Sequence, residues 1–375
     1  MSRREDFLRV LEHREPENNI LDLGGNPLST MEGKSPGLLL KHLGYEEPEP
    51  EYPLFGKTRK VDERILRALD IDTRAVGTIL TPADSLFEIL SETEYVDEWG
   101  IRRTFNGMYW DNVNCPLRNT TLEDLKAFRW PNPESVDFAL LEEYGKKAEH
   151  LYYNTDYVVC GEHPVYGIFE LGCWMCGFDD FLMKMVLDPD YVRWFFEKVL
   201  EYQLRVIDIY YGRIGRYIHY TSSGDDFATQ SNLFISRTMF DSLIKPYFKE
   251  RIKRTRERTD AAFLHHSCGC VHDIIESLLD CGVEILNPIQ PVNEKMSPAL
   301  LKQEFGDRIV FHGGLDTQSV LPFGNRETVE KAVHGLMKVM TRSGGYIFAA
   351  AHNIQEDVPP ENVVAMFDAA RKFTR

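Results

Sequence analysis

The chain has no run approaching the ~20 consecutive apolar residues that a membrane-spanning helix requires. Its opening, MSRREDFLRVLEHREPENN, has no apolar core of the kind a secretory signal carries. Both absences lead to the expectation of a cytoplasmic protein. No GxGxxG or GxxxxGK[ST] turn occurs, which argues against a dinucleotide or nucleoside triphosphate held at a helix N-terminus. Positive charge is in deficit. Lys and Arg number 43 against 59 Asp and Glu, a formal net charge of −16. Nucleic-acid binding depends on cations against phosphate, so no nucleic-acid partner is expected, and a strongly anionic substrate is disfavoured. Cysteine is sparse: the seven residues are an odd number in a chain without a secretory signal, which predicts reduced thiols rather than a disulfide framework. Neither an internal repeat nor a low-complexity tract is present.

What is there is globular. Hydrophobic residues make up 43% and charged residues 27% of the 375. Ser2 and Glu5 have capping-box spacing ahead of Phe7, Leu8, Val10 and Leu11, which predicts an N-terminal helix. Apolar runs of strand length occur at ILDLGG (20–25), DYVVCG (156–161), RYIHYTSS (216–223), AAFLHHSC (261–268), VEILNPI (283–289), RIVFHGG (308–314) and GYIFAAAH (345–352). Amphipathic helical stretches separate several of them, including 178–211, which reads as two helices broken near Asp188–Pro189. Near-continuous apolar strands alternating with helices predict a parallel sheet covered by helices, here an α/β fold of the (β/α)₈ barrel type with an N-terminal elaboration. One barrel domain is expected over 1–375, the elaboration within 1–150 and most of the barrel in 151–375. The segments EEPEPEYP (46–53) and RWPNPES (129–135) read as loops.

Each predicted strand ends in polar or small residues, the end at which a barrel enzyme places its chemistry. The densest case is AAFLHHSCGCVHD. Side chains alternate along a strand, so His266 and Cys268 share one face and His265 turns toward the helices. His and Cys at i and i+2 suit zinc, but a catalytic zinc uses three protein ligands and one open position. His352 is the favoured third ligand, because its strand end is flanked by small residues that leave room. His312 is the competitor. The plainer reading of any one of these residues is packing or hydrogen bonding.

Other residues compete for roles. Asp225 and Asp226 in SSGDDF are candidate catalytic carboxylates, against a reading as helix caps. Glu170 is a third candidate acid. Gln230, Asn287, Gln290, His312 and Asn353 stand at strand ends as candidate substrate contacts. Cys173 and Cys176 form CWMC, but Trp, Met and an apolar helix around them favour buried structural thiols.

HSCG, LNPIQ, FHGGLDTQSVLPFG and GGYIFAAAHNIQEDVPPENVVAMFDAA, with VLEHREPENNILDLGG at the start, resemble the uroporphyrinogen decarboxylase superfamily over nearly the whole chain. The resemblance implies a (β/α)₈ barrel. The superfamily's decarboxylases carry an Arg-rich N-terminal motif of the RQAGRY kind for their polycarboxylate substrate, and this chain has no such motif. Its cobalamin-linked methyltransferases bind zinc through H-x-C and a distant Cys near the last strand. His266 and Cys268 match that motif, and His352 stands where the distant Cys would be. The resemblance therefore implies Zn²⁺ as cofactor, cobalamin on a separate corrinoid protein as partner, and a methoxylated compound, thiol or tetrahydrofolate as the small-molecule donor or acceptor. A homodimer is implied by the decarboxylases. The rival readings are a porphyrinogen decarboxylase and a non-catalytic tetrapyrrole-binding barrel.

Overall fold

The computed structural model describes residues 1–46, 60–77, 86–107, 109–162, 164–291 and 293–374. Of EEPEPEYP, all but Glu46 falls outside them. Eight parallel strands form the central sheet: β1 (Ile20–Leu21), β2 (Thr73–Ala75), β7 (Val158–Glu162), β8 (Tyr220–Gly224), β9 (Ala262–His266), β10 (Ile285–Asn287), β11 (Val310–His312) and β12 (Tyr346–Phe348). Their order is β1-β12-β11-β10-β9-β8-β7-β2. The seam between β2 and β1 is bridged by Asp72, whose N–H donates to the Leu21 carbonyl at 3.0 Å and whose Oδ2 accepts the Leu21 N–H at 2.7 Å. The fold is the expected (β/α)₈ barrel.

Alternation along the strands sorts the side chains. Ile20, Val158, Cys160, Tyr220, Leu264, Ile285, Val310 and Ile347 fill the interior, while Leu21, Val159, Phe263, Leu286, Phe311 and Phe348 pack outward under the helices. Both faces are apolar, so the strands read as continuous hydrophobic runs. The N-terminal end of the barrel is plugged by the helix Arg3–Leu11, which forms the expected capping box between Ser2 and Glu5. Its Phe7 and Val10 join the interior cluster, with Phe7 5.6 Å from Tyr220 between ring centroids.

Strand β2 is the one the sequence hides. Its three residues, TRA, carry a charge at the centre. Arg74 points outward, donates to Glu63 at 2.9 Å and lies 3.7 Å from the Tyr157 ring centroid, so a cation occupies a position that elsewhere holds an aliphatic side chain. The other strands are shorter than their apolar runs. Arg216 and Tyr217 belong to a 3₁₀ turn before β8, and β12 ends at Phe348. The break at Asp188–Pro189 is real: Phe178–Leu187 ends there, and the Asp188 side chain caps Pro189–Ile214.

The N-terminal elaboration is a four-stranded antiparallel sheet of β3 (Glu88–Ser91), β4 (Glu94–Val96), β5 (Arg102–Phe105) and β6 (Trp110–Asn112), inserted between β2 and β7. Residues 1–150 thus hold two barrel strands and the plugging helix as well as this sheet. RWPNPES contains a short 3₁₀ turn, Pro133–Ser135, capped by Asn132. No helix among the described residues is long and apolar enough to cross a membrane.

The plug gives a test of the packing. Phe7 is 1% exposed. Phe7→Ala should cost about 3–5 kcal/mol and lower the midpoint of urea unfolding followed by circular dichroism. An unchanged midpoint would mean that the barrel closes without the helix.

Candidate metal centre

At the C-terminal ends of the strands the interior turns polar. His266, the last residue of β9, faces inward, and His265 faces outward between Phe227 and Phe248, with ring centroids 5.6 and 4.7 Å away. Beyond the strand the chain turns sharply at Gly269, whose φ is +84° and where an added Cβ would meet the Thr229 carbonyl at 2.4 Å. The turn is held by two hydrogen bonds. The Cys268 N–H donates to Asp226 Oδ1 at 2.7 Å, and the Gly269 N–H donates to Gln290 Oε1 at 2.8 Å. Cys268 Sγ then lies 3.2 Å from His266 Nε2 and 3.3 Å from Gln290 Nε2. His352, beyond β12, completes the group: ligand atoms of His266, Cys268 and His352 all lie within 4.8 Å of one another.

A buried chain of hydrogen bonds orients His266. Asp22, just after β1, accepts from the Gly25 N–H at 2.9 Å, the Ser29 hydroxyl at 2.6 Å and the Thr73 hydroxyl. It also accepts from His312 Nε2 at 2.8 Å. A carboxylate only accepts, so His312 carries its proton on Nε2 and takes the Asn287 Nδ2–H on Nδ1, at 2.7 Å. That fixes the Asn287 amide, whose Oδ1 receives the His266 Nδ1–H at 2.5 Å. The His266 Nε2 lone pair is left facing Cys268. Burial pushes Asp22 up, but the bonds from His312, Ser29 and Thr73 outweigh it and hold the carboxyl below its ordinary range.

The donor set fits a tetrahedral ion. Zinc with Zn–N and Zn–S bonds of about 2.0–2.3 Å separates its ligand atoms by about 3.3–3.6 Å; the His266–Cys268 pair stands at 3.2 Å, slightly inside that spacing. Burial, with the neighbouring His266, depresses His352 to about 4, and burial also lowers His266; both shifts favour the neutral imidazole that ligation requires. Burial and then Asp226 push the Cys268 thiol up, so a cation is what would make it a thiolate. Three protein donors leave a fourth position.

Beside the three donors opens a pocket of about 260 Å³. Pro27, Leu28, Val165, Tyr166 and Trp174 form its apolar walls, and Glu170, Asp226 and Ser222 its polar part, with His266 and His352 at the base. Among the described residues that line it there is no Lys or Arg. Burial, then Asp226 and Asp225, raise the Glu170 carboxyl well above the usual range.

The remaining candidates separate. Glu170 and Asp226 line the pocket. Asp225 does not: it is fully buried and accepts the N–H groups of Phe169 at 3.1 Å and Glu170 at 2.8 Å, capping the helix Ile168–Cys176 from outside. Burial raises it to about 7 against the pull of Arg251. His312 is fully buried with both nitrogens engaged, so it is neither the third ligand nor a substrate contact. Asn287, 1% exposed, orients the two histidines instead of touching substrate. Asn353 is spent on Thr30 and Glu32, at 3.0 and 2.9 Å. Gln230 is exposed, and its main-chain carbonyl accepts from Asn293. Gln290 stands at the Cys268 sulfur. Cys173 and Cys176 are buried in the helix, as expected. The residues that sequence reasoning missed are Asp22, Tyr166 and Trp174; an aromatic residue in an apolar stretch reads as core, and only the loop after β7 and the helix that follows it bring the two aromatic residues to the mouth.

Asn287→Ala removes the hinge between His312 and His266. Its dissociation constant for Zn²⁺, read by chelator competition, should rise about 10–100-fold with the fold intact. Unchanged affinity would show that His266 needs no such support.

The comparisons with known proteins agree with this architecture. A solved structure of a methyltransferase from Methanosarcina mazei superposes with a TM-score of 0.65 at 14% identity, covering 99% of this chain and 98% of that one. Curated relatives match over shorter stretches. A uroporphyrinogen decarboxylase of Methylococcus capsulatus is 25% identical over 100 residues, 27% of this chain and 27% of the relative. One from Vesicomyosocius okutanii is 33% identical over 75 residues, 20% of this chain and 21% of the relative. The matched segments thus span about a quarter of these relatives' length. The model of the uroporphyrinogen decarboxylase (URO-D) family matches residues 122–373, well over half of the chain, and the protein belongs to that family.

Proposed function

We propose that this barrel is a zinc-dependent methyltransferase that moves a methyl group between a small methoxylated compound and a corrinoid carried on a separate protein. The observation that carries the reading is the convergence of His266, Cys268 and His352 within 4.8 Å, with His266 and His352 lining a largely apolar pocket. The methyltransferase of Methanosarcina mazei, alike in fold along the whole chain, supports the same branch of the family. The three side chains would hold zinc, with the Asn287 bond keeping Nε2 of His266 aimed at it. When bound, zinc supplies Lewis acidity at an ether oxygen and weakens its bond to the methyl group. Two neutral imidazoles and one thiolate leave that ion a net positive charge, which favours an oxygen over a thiol as its fourth partner.

The rest is done by the chain. Gln290 Nε2 donates to the Cys268 sulfur and would steady the thiolate that a bound cation creates. Tyr166 and Trp174 hold the body of the substrate and exclude water. Glu170, kept protonated by burial and by Asp226, donates a proton to the oxygen that loses its methyl group. Asp225 fixes the first turn of the helix that bears Glu170. The seven cysteines, all unpaired, accord with a reducing, cytoplasmic setting.

The decarboxylase reading has the names of the curated relatives in its favour. Its polycarboxylate substrate would meet Glu170 and Asp226 with no lining cation among the described residues, which is electrostatically unfavourable.

Protein purified without added metal should contain about one zinc per chain, lost in Cys268→Ala and as fully in His352→Ala. With 2-methoxyphenol and cob(I)alamin, the wild type should produce methylcobalamin, followed by its absorption spectrum. Glu170→Gln should keep the zinc and slow the transfer about 10²–10⁴-fold. Metal-free protein that turns over a porphyrinogen would replace this reading with the decarboxylase.

A further inference from the structure

We infer that Arg103, delivered by the N-terminal sheet, is a specificity-determining positioning residue: it sets the aromatic wall of the pocket and thereby selects methyl donors that carry a ring. The inference rests on the methyl-transfer reading above and names the chemistry of the donor.

Arg103 lies in β5 and is 7% exposed. Its Nε donates to Asp97 Oδ2 at 2.9 Å, and its Nη1 donates to Asn112 Oδ1 at 2.7 Å. Both partners belong to the inserted sheet region, so the guanidinium is anchored there. Its carbon then reaches the barrel, 5.2 Å from the ring centroid of Trp174 and 5.6 Å from that of Tyr166. Nη2 is buried without a hydrogen-bond partner among the described residues, which leaves the aromatic rings as its compensation. The two rings meet edge to face, with centroids 5.3 Å apart, and both line the pocket. The backbone of the wall is held from another direction, since the Tyr166 carbonyl accepts from Gln203 Nε2 at 2.7 Å. The insertion therefore places one cation against two pocket rings whose other sides pack on the core of the barrel.

The donor follows from that arrangement. Arg103 already occupies a cation's place against these rings, so they have less to offer an alkylammonium. Glu170 and Asp226 oppose a carboxylate. An uncharged ring can stack on Tyr166 or Trp174 while its methoxy oxygen turns toward His266 and His352. A lysine would serve only in part, because a point ammonium cannot span Asp97 and Asn112 while lying against two rings.

The experiment is calorimetric titration of zinc-loaded protein with 2-methoxyphenol. Arg103→Met should raise its dissociation constant at least tenfold while zinc stoichiometry and affinity stay at wild-type values, and Arg103→Lys should fall between the two. The buried Asp97 loses its partner in Arg103→Met, so Arg103→Met/Asp97→Asn, which removes both charges, is measured beside it and should show the same loss. Equal 2-methoxyphenol affinity in wild type and the double variant would overturn the inference and leave the methyl-transfer reading standing. A parallel fall in zinc binding would reduce Arg103 to a structural role and overturn it as well. Zinc-loaded wild type that does not bind 2-methoxyphenol would remove the aromatic donor and this inference together.

Discussion

The constraint on which the site depends is the polarity of a buried hydrogen-bond chain. An acceptor-only carboxylate, Asp22, stands at one end, and each group in turn has its donor and acceptor atoms assigned by the one before it. The chain crosses the barrel from the end of β1 through β11 and β10 to β9. None of its members is more than 3% exposed, so a broken link would leave a polar atom without water or partner, at a cost of about 1–3 kcal/mol. That cost is what keeps His266 in one tautomer and one orientation. The layer beneath is apolar, and the polar layer rests on it. The same barrel is apolar at one end and polar at the other.

The pocket above this layer opens beside the three donors. Its lining is aromatic and acidic, without a lining cation among the described residues. The nearby cation, Arg103, is neutralised by Asp97 and turned to the rings. Barrel folds accept such changes because the strands carry the framework and the connections carry the chemistry. Here the long connection between β2 and β7 supplies a sheet, and the connection after β7 supplies Tyr166, Glu170 and Trp174.

How far the sequence could be read depended on what each residue answers to. Seven of the eight strands announce themselves as apolar runs, because both faces of a parallel barrel are covered. Strand β2 stays silent because Arg74 satisfies its charge through Glu63 and Tyr157, contacts with no local signature. His266 and Cys268 were legible as a pair because strand alternation puts i and i+2 on one face. The choice of His352 over His312 rested on small neighbours at the strand end. The structure brings His352 to the pair and commits His312 to Asp22 and Asn287. Asp225 and Asp226 look alike in sequence. One caps a helix from outside and the other lines the pocket, because successive residues point in different directions. Asn353, adjacent to His352, is absorbed by Thr30 and Glu32, residues more than three hundred positions away.

By itself the sequence determined the class of fold, the end of the barrel that carries the candidate site and the ligand types available there, since these follow from hydrophobic period and side-chain alternation, which are local. Only the tertiary structure decided which polar residues meet, which way each imidazole is protonated and which rings wall the pocket. Those outcomes depend on barrel closure, which sets Asp22 from the first strand against His312 from the seventh and brings Arg103 from the inserted sheet against Trp174. No local pattern encodes such distances.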